Sequence, residues 1–133
     1  MTSVNRPHQS GTLYVVAVPI GHPDDVTVRA IQILGKVDLI ASEDPNMTQR
    51  LLMHHGIQDT VTSYGPRNLQ EKAAVLLQRL QQGGHVAFVS DCGSPLVADP
   101  GHLLVAAAHA HGIPVVPVPG PSAIIAALTA AGL

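Results

Sequence analysis

Five short apolar runs, each followed by residues whose apolar positions recur at helical spacing, constrain this chain more than any other feature. The runs lie at 12–18 ("TLYVVAV"), 37–42 ("VDLIAS"), 60–64 ("TVTSY"), 85–90 ("HVAFVS") and 113–118 ("IPVVPV"), and they read as strands. Between them, Val26, Ala30, Ile33, Leu34 and Val37 fall at helical spacing, as do Leu69, Ala73, Leu76, Leu77 and Leu80, and Leu103, Leu104, Ala107 and Ala108. A shorter helix is expected over 46–54. Strands alternating with helices predict an α/β fold: a mostly parallel five-stranded sheet flanked by helices, with right-handed crossovers. Pro114 and Pro117 would each remove a ladder donor, which puts the fifth strand at an edge.

Composition agrees with that architecture. The chain has 133 residues, the size of one ordinary domain, and 46% of them are hydrophobic. With one Phe, two Tyr and no Trp, the core must be aliphatic, as suits a sheet covered by helices. The single Cys excludes an internal disulfide and any multi-cysteine metal site, and it points to a reducing, cytoplasmic setting. Net charge is −2, and the seven Lys and Arg are scattered, so no strong nucleic-acid footprint is present. No apolar run approaches the roughly 18 residues of a membrane span, and no membrane partner is expected. Residues 1–10 read as a flexible N-terminal tail. The other end, "PSAIIAALTAAGL", is an apolar helix pattern that stops at its capping glycine, Gly132, as a fragment would.

The connections fall into two classes. Those running from helix to strand ("LGKVD", "HHGIQD", "QQGGH", "AHGIP") each hold a glycine suited to ending a helix in a left-handed conformation. Those running from strand to helix hold the unusual chemistry: "PIGHPDD" (19–25), "EDPN" (43–46), "YGPRN" (64–68), "SDCGSPLVADPGH" (90–102) and "PGPS" (119–122). All five belong at the carboxyl ends of the strands, where open α/β sheets bind their ligands.

Each motif has a bland reading beside the functional one. Asp99 and Pro100 suit the cap and first turn of the next helix, and Asp24 or Asp25 suits a helix cap. Gly120 and Pro121 suit a helix start. "CGSP" (92–95) is either a loop that reads a ligand through its main chain or a tight turn that holds nothing. Of the adjacent carboxylates Glu43 and Asp44, one is expected to cap a helix and the other to face outward, rather than both to serve as a titrating pair. Cys92 has no acid–base partner at a known spacing and reads as a small packed thiol. The pairs His54-His55 and His109-x-His111 share no helix face, which argues against a metal site.

In this order, the loops resemble the tetrapyrrole methylase family of S-adenosylmethionine-dependent methyltransferases. The matching stretches are "GTLYVVAVPIGHPDDVTVRAIQIL", "VDLIASED", "VAFVSDCGSPLVADPG" and "GIPVVPVPGPSAIIAALTAAGL", in register over most of 11–133. Within the family, the chain looks most like the branch that methylates a cytidine ribose 2′-hydroxyl in small-subunit ribosomal RNA. The resemblance implies two α/β domains with the methyl donor in the cleft between them. Residues 11–133 would be the N-terminal domain, with the C-terminal domain absent. By position, the donor would meet Ile20 and Gly21 in the first loop, Cys92, Gly93, Ser94 and Val97 in the fourth, and Ser122 and Ala123 in the fifth. Plain packing is the alternative reading for Val97 and Ala123. Two stretches depart from the branch: "EDPN" stands where it has "EDTR", and "YGPRNLQE" keeps Asn68 but has Gly65, Arg67 and Leu69 at its histidine and glutamate positions. Both departures bear on the acceptor more than on the donor.

A hydroxyl acceptor needs its proton removed. Asp91, directly after a central strand, is the first candidate for a polar role, against a turn carboxylate bonded to its own loop; the catalytic residue is left unassigned. Three functions fit: the donor half of an RNA ribose methyltransferase, a corrin or porphyrin methyltransferase, or a non-catalytic ligand-binding or assembly domain. The partners expected are ribosomal RNA or a tetrapyrrole through the whole protein. A homodimer is also expected, because an uncovered apolar face promotes self-association.

Overall fold

In the computed structural model, which describes residues 9–19, 22–65, 67–89, 101–121 and 130–131, all five apolar runs become strands. They are β1 (Leu13–Val16), β2 (Leu39–Ser42), β3 (Val61–Ser63), β4 (Val86–Val89) and β5 (Val115–Val118). Every pairing is parallel, and the order across the sheet is β3-β2-β4-β1-β5. The strands begin one or two residues later than the apolar runs, and β1, β3 and β4 also end one or two earlier, because ladder pairing gives out before the hydrophobic pattern does. β5 is an edge strand, as its prolines require.

Four helices join the strands: α1 (Val28–Leu34), α2 (Pro45–His54), α3 (Leu69–Gln81) and α4 (His102–Ala110). A one-turn 3-10 helix, Pro23–Asp25, precedes α1. The sheet separates two cores. On one face, Ala73, Leu76 and Leu80 of α3 and Leu104 and Ala108 of α4 pack on Leu13, Leu39, Ala41, Val86 and Phe88. On the other, Ala30 and Leu34 of α1 and Leu52 of α2 pack on Val16, Ile40, Ala87 and Val89. Alternate residues of β4 thus serve opposite cores, and all four are buried. Among the described residues, no helix is long and apolar enough to cross a membrane.

The helix-to-strand connections follow their glycines in three cases out of four. Gly56, Gly83 and Gly112 have φ of 70°, 97° and 68°. Gly35 does not: it stays right-handed at φ −80°, donating to Ile31 O, while Lys36 and Val37 both donate to Ile33 O and turn the chain there. At the amino edge, Gly11 donates to Leu80 O at 2.7 Å and runs against the backbone of Gly84. A Cβ on Gly11 would fall 1.8 Å from Gly84 O, a clash with main chain that no side-chain rotation relieves. A Cβ on Gly112 meets nothing within 4 Å and faces only the cost of its positive φ. Gly112→Ala should therefore lose about 1–2 kcal/mol, and Gly11→Ala about 3 kcal/mol or more. Urea denaturation of the two variants would check the order, and an equal loss would contradict it.

Candidate functional site

The sheet topology puts a switch point at the carboxyl end of β4. β1 and β2 lie on either side of β4, and the helices that follow them, α1 and α2, cover one face. The helix that follows β4, α4, covers the other. Connections leaving adjacent parallel strands for opposite faces leave a gap outside the strand ends, which is where open α/β sheets take their ligands. β4 has such a gap on both sides.

All five strands end at this level: Ser42 of β2 stands opposite Val89 of β4, and Ser63 of β3 opposite Ser42. Val16 of β1 lies in register with Val89 of β4 on one side and with Val118 of β5 on the other. The first, fourth and fifth loops therefore leave three neighbouring strands at one level of one edge. The eight positions that the family resemblance assigns to the donor, Ile20, Gly21, Cys92, Gly93, Ser94, Val97, Ser122 and Ala123, belong to these loops but lie outside the described residues. So do Asp91, Asp99 and Pro100. The described parts of the first and fifth loops do touch: a Cβ on Gly120 would come within 3.1 Å of Ala17 Cβ and 3.6 Å of Thr27 Cγ2. Ala17 and Gly120 thus bring two small residues together at the roots of the first and fifth loops.

The second and third loops are tied internally. Asp44 caps α2, its carboxylate accepting from Met47 N, as expected for one member of the Glu43–Asp44 pair; Glu43 is half-buried beside it. Beneath them, Ser42 Oγ and Thr48 Oγ1 form a buried hydroxyl pair at 2.6 Å, and Ser42 Oγ also accepts from Asp44 N. Ser42 and Thr48 are the buried polar residues of the described core. The sequence carries a signal for this pair: Thr48 stands four residues before Leu52, on the apolar stripe of α2. In the third loop, Asn68 Oδ1 accepts from Gly65 N and its Nδ2 donates to Ser63 Oγ, closing residues 63–68 on themselves. Tyr64 packs edge-on against Phe88 of β4 with ring centroids 5.3 Å apart.

The first loop holds the largest departure from the sequence reading. Thr27, rather than Asp24 or Asp25, caps α1, its hydroxyl accepting from Ala30 N. The carboxylate of Asp24 is drawn away by α2: His54 Nε2 donates to Asp24 Oδ1 at 2.9 Å, and His55 Nε2 donates to Pro23 O at 2.8 Å. Residues 30 apart in sequence give no pattern from which this tie could be read. The hydrogen bond from His54, with the charges of the neighbouring histidines, outweighs desolvation and holds the Asp24 carboxyl below its usual range. A lowered folded-state pKa stabilises the tie above the ordinary carboxylate range, and the tie is lost as pH falls through the lowered value.

A sequence profile of the Tetrapyrrole (Corrin/Porphyrin) Methylases matches residues 12–133. The chain is 49% identical over 133 residues to the ribosomal RNA small subunit methyltransferase I of Escherichia coli O157:H7, covering 96% of this chain and 46% of that one. It is 50% identical over 121 residues to the protein of that name from Mesorhizobium japonicum, covering 91% and 41%. Among solved structures, it superposes with a TM-score of 0.68 on the uroporphyrin-III C-methyltransferase of Thermus thermophilus complexed with S-adenyl homocysteine. That match has 25% identity and covers 92% of this chain and 52% of its counterpart. The chain belongs to the tetrapyrrole (corrin/porphyrin) methylase family. It spans less than half the length of the curated relatives named here.

Two outcomes test this local geometry. Thr48→Val strands the Ser42 hydroxyl proton in the core and should lower stability by about 1–2 kcal/mol, whereas Thr48→Ser should cost less; chemical denaturation separates them. His54→Gln should return the Asp24 carboxyl titration toward the ordinary carboxylate range, as followed by carbon-detected NMR. An unchanged titration would show that the imidazole is not what lowers it.

Proposed function

We propose that this chain is the methyl-donor half of an S-adenosylmethionine-dependent methyltransferase whose acceptor is the 2′-hydroxyl of a cytidine in small-subunit ribosomal RNA. The observation that carries the reading is identity near one half to ribosomal RNA small subunit methyltransferases across more than nine-tenths of the chain. Identity to the porphyrin methyltransferase of known structure is about half that. A corrin or porphyrin acceptor is the second reading, favoured by the likeness to that structure.

The switch point suits the donor. Neighbouring parallel strands end together there, and Ala17 and Gly120 at the roots of the first and fifth loops are small enough to let backbone come close to a ligand. When bound, S-adenosylmethionine supplies an activated methyl group on a sulfonium. In this reading, Ile20, Gly21, Cys92, Gly93, Ser94, Val97, Ser122 and Ala123 hold it, and a C-terminal domain covers it and brings the acceptor. The work left to the protein is alignment and exclusion of water, which can lower a barrier by roughly 7–11 kcal/mol in favourable cases. The acceptor hydroxyl must also lose a proton. Asp44 is committed to capping α2 and Asp24 to His54, so Asp91 remains the first candidate for that polar role. The protein acts in this reading as a cytoplasmic homodimer, where its ribosomal substrate is made.

Full-length protein supplied with methyl-labelled S-adenosylmethionine should label small ribosomal subunits and leave uroporphyrinogen unlabelled. The reverse result would replace the first reading by the second. Cys92→Ala, which installs the residue usual in the ribosomal branch, should change donor binding and methyl transfer by no more than a few fold. Residues 1–133 alone should bind the donor weakly, transfer no methyl group and self-associate in light scattering. Micromolar donor binding by a strictly monomeric 1–133 would overturn the two-domain site.

A further inference from the structure

The tie between the first loop and α2 gathers more donor atoms than a hydrogen bond needs. Asp24, His54 and His55 each offer one ligand atom, and these atoms all lie within 4.8 Å of one another. Helix spacing predicts that His54 and His55 diverge, but α2 ends at His54. His55 lies just past the end, at φ −101° and ψ 10°, so its ring is no longer placed by helical geometry. The two rings meet edge to face with centroids 4.8 Å apart. The one-turn helix Pro23–Asp25 then brings a carboxylate to them from a separate element.

We propose that Asp24, His54 and His55 form a binding site for a divalent transition-metal cation of the zinc class. Two imidazoles and one carboxylate are a recurrent three-protein-ligand set for zinc, with water completing a tetrahedron. Zinc–ligand bonds of about 2.0–2.2 Å place tetrahedral ligand atoms roughly 3.3 Å apart. The His54 Nε2 to Asp24 Oδ1 separation of 2.9 Å is already inside that spacing. The widest separation needs a shift of an ångström or two, which the exposed Asp24 and His54 side chains can make. His55 is the better-fixed member: it is half-buried, and the Pro23 carbonyl accepts its Nε2 proton. A second partner of this kind holds the ring of a metal-ligating histidine in place. His22, whose Nδ1 accepts from Asp24 N, sits 3.9 Å from Asp24 Oδ2 on the far side of the carboxylate. The ion would clamp the loop that leaves β1 to the end of α2, 30 residues away.

The test uses full-length protein stripped with chelator and titrated with zinc alone by calorimetry, with cobalt absorption as a second probe. One zinc per chain is expected, with cobalt giving the intense visible bands of a tetrahedral site. Asp24→Asn and His54→Gln should each weaken binding about ten-fold or more, while His109→Gln, an exposed histidine on α4, should leave it unchanged. Zinc should raise the melting temperature of the parent protein and not that of the two site variants. All four proteins should keep the same circular dichroism, because the substituted side chains are exposed. Absence of stoichiometric zinc, or binding that Asp24→Asn and His54→Gln leave intact, would overturn the site.

Discussion

β4 cannot face water on either side. Its four residues are all buried, two against α3 and α4 and two against α1 and α2, so the sheet folds only when helices cover both faces at once. Parallel ladders carry this requirement generally, because each crossover helix must lie on one face or the other. Here the chain lays its first two helices on one side and its next two on the other, then inserts β4 between β2 and β1. The switch point at the carboxyl end of β4 follows from that insertion. It is thus a by-product of how the core is closed.

Two of the loops are closed by their own hydrogen bonds. The second loop is locked by the Ser42–Thr48 hydroxyl pair and the Asp44 cap, and the third by Asn68. These loops leave β2 and β3, whose last residues Ser42 and Ser63 stand level with Val89. They are also the stretches in which this sequence departs from the ribosomal RNA pattern. Pro45 keeps the first turn of α2 where no donor is needed, so "EDPN" preserves the cap while changing what the turn shows to solvent. The departures sit on scaffolding that tolerates them.

The sequence was most informative where the physics is local. Apolar runs located all five strands, the spacing of Leu69, Ala73, Leu76 and Leu80 located α3, and positive-φ turns fell at Gly56, Gly83 and Gly112. Two local readings went astray because an alternative partner was equally near: Thr27 took the cap of α1 from the aspartates, and Ile33 O ended that helix without a left-handed Gly35. The strand order and the helix faces were not legible, since both depend on contacts between distant segments. The same holds for His54 and Asp24. Of the candidate donor site, the sequence supplied the residues through family motifs, and the fold supplied the adjacency of the strands that carry them.

The outer edge of β5 has a consequence for how copies of this protein can meet. Leu13 N donates to Pro114 O and Ala17 N to Val118 O, so even-numbered residues of this strand face β1 and odd-numbered ones face outward. Pro117 therefore breaks no bond within the sheet; the donor it lacks is one that would have pointed away from it. Pro119, just beyond, has the same parity, which leaves Val115 as the outward N–H of this strand. A sheet rim so short of donors cannot template a sixth strand from a neighbouring chain. Two copies that associate must do so through helices or loops, and the continuous cross-molecule sheet that turns pairing into fibrous aggregation is closed to them on this side.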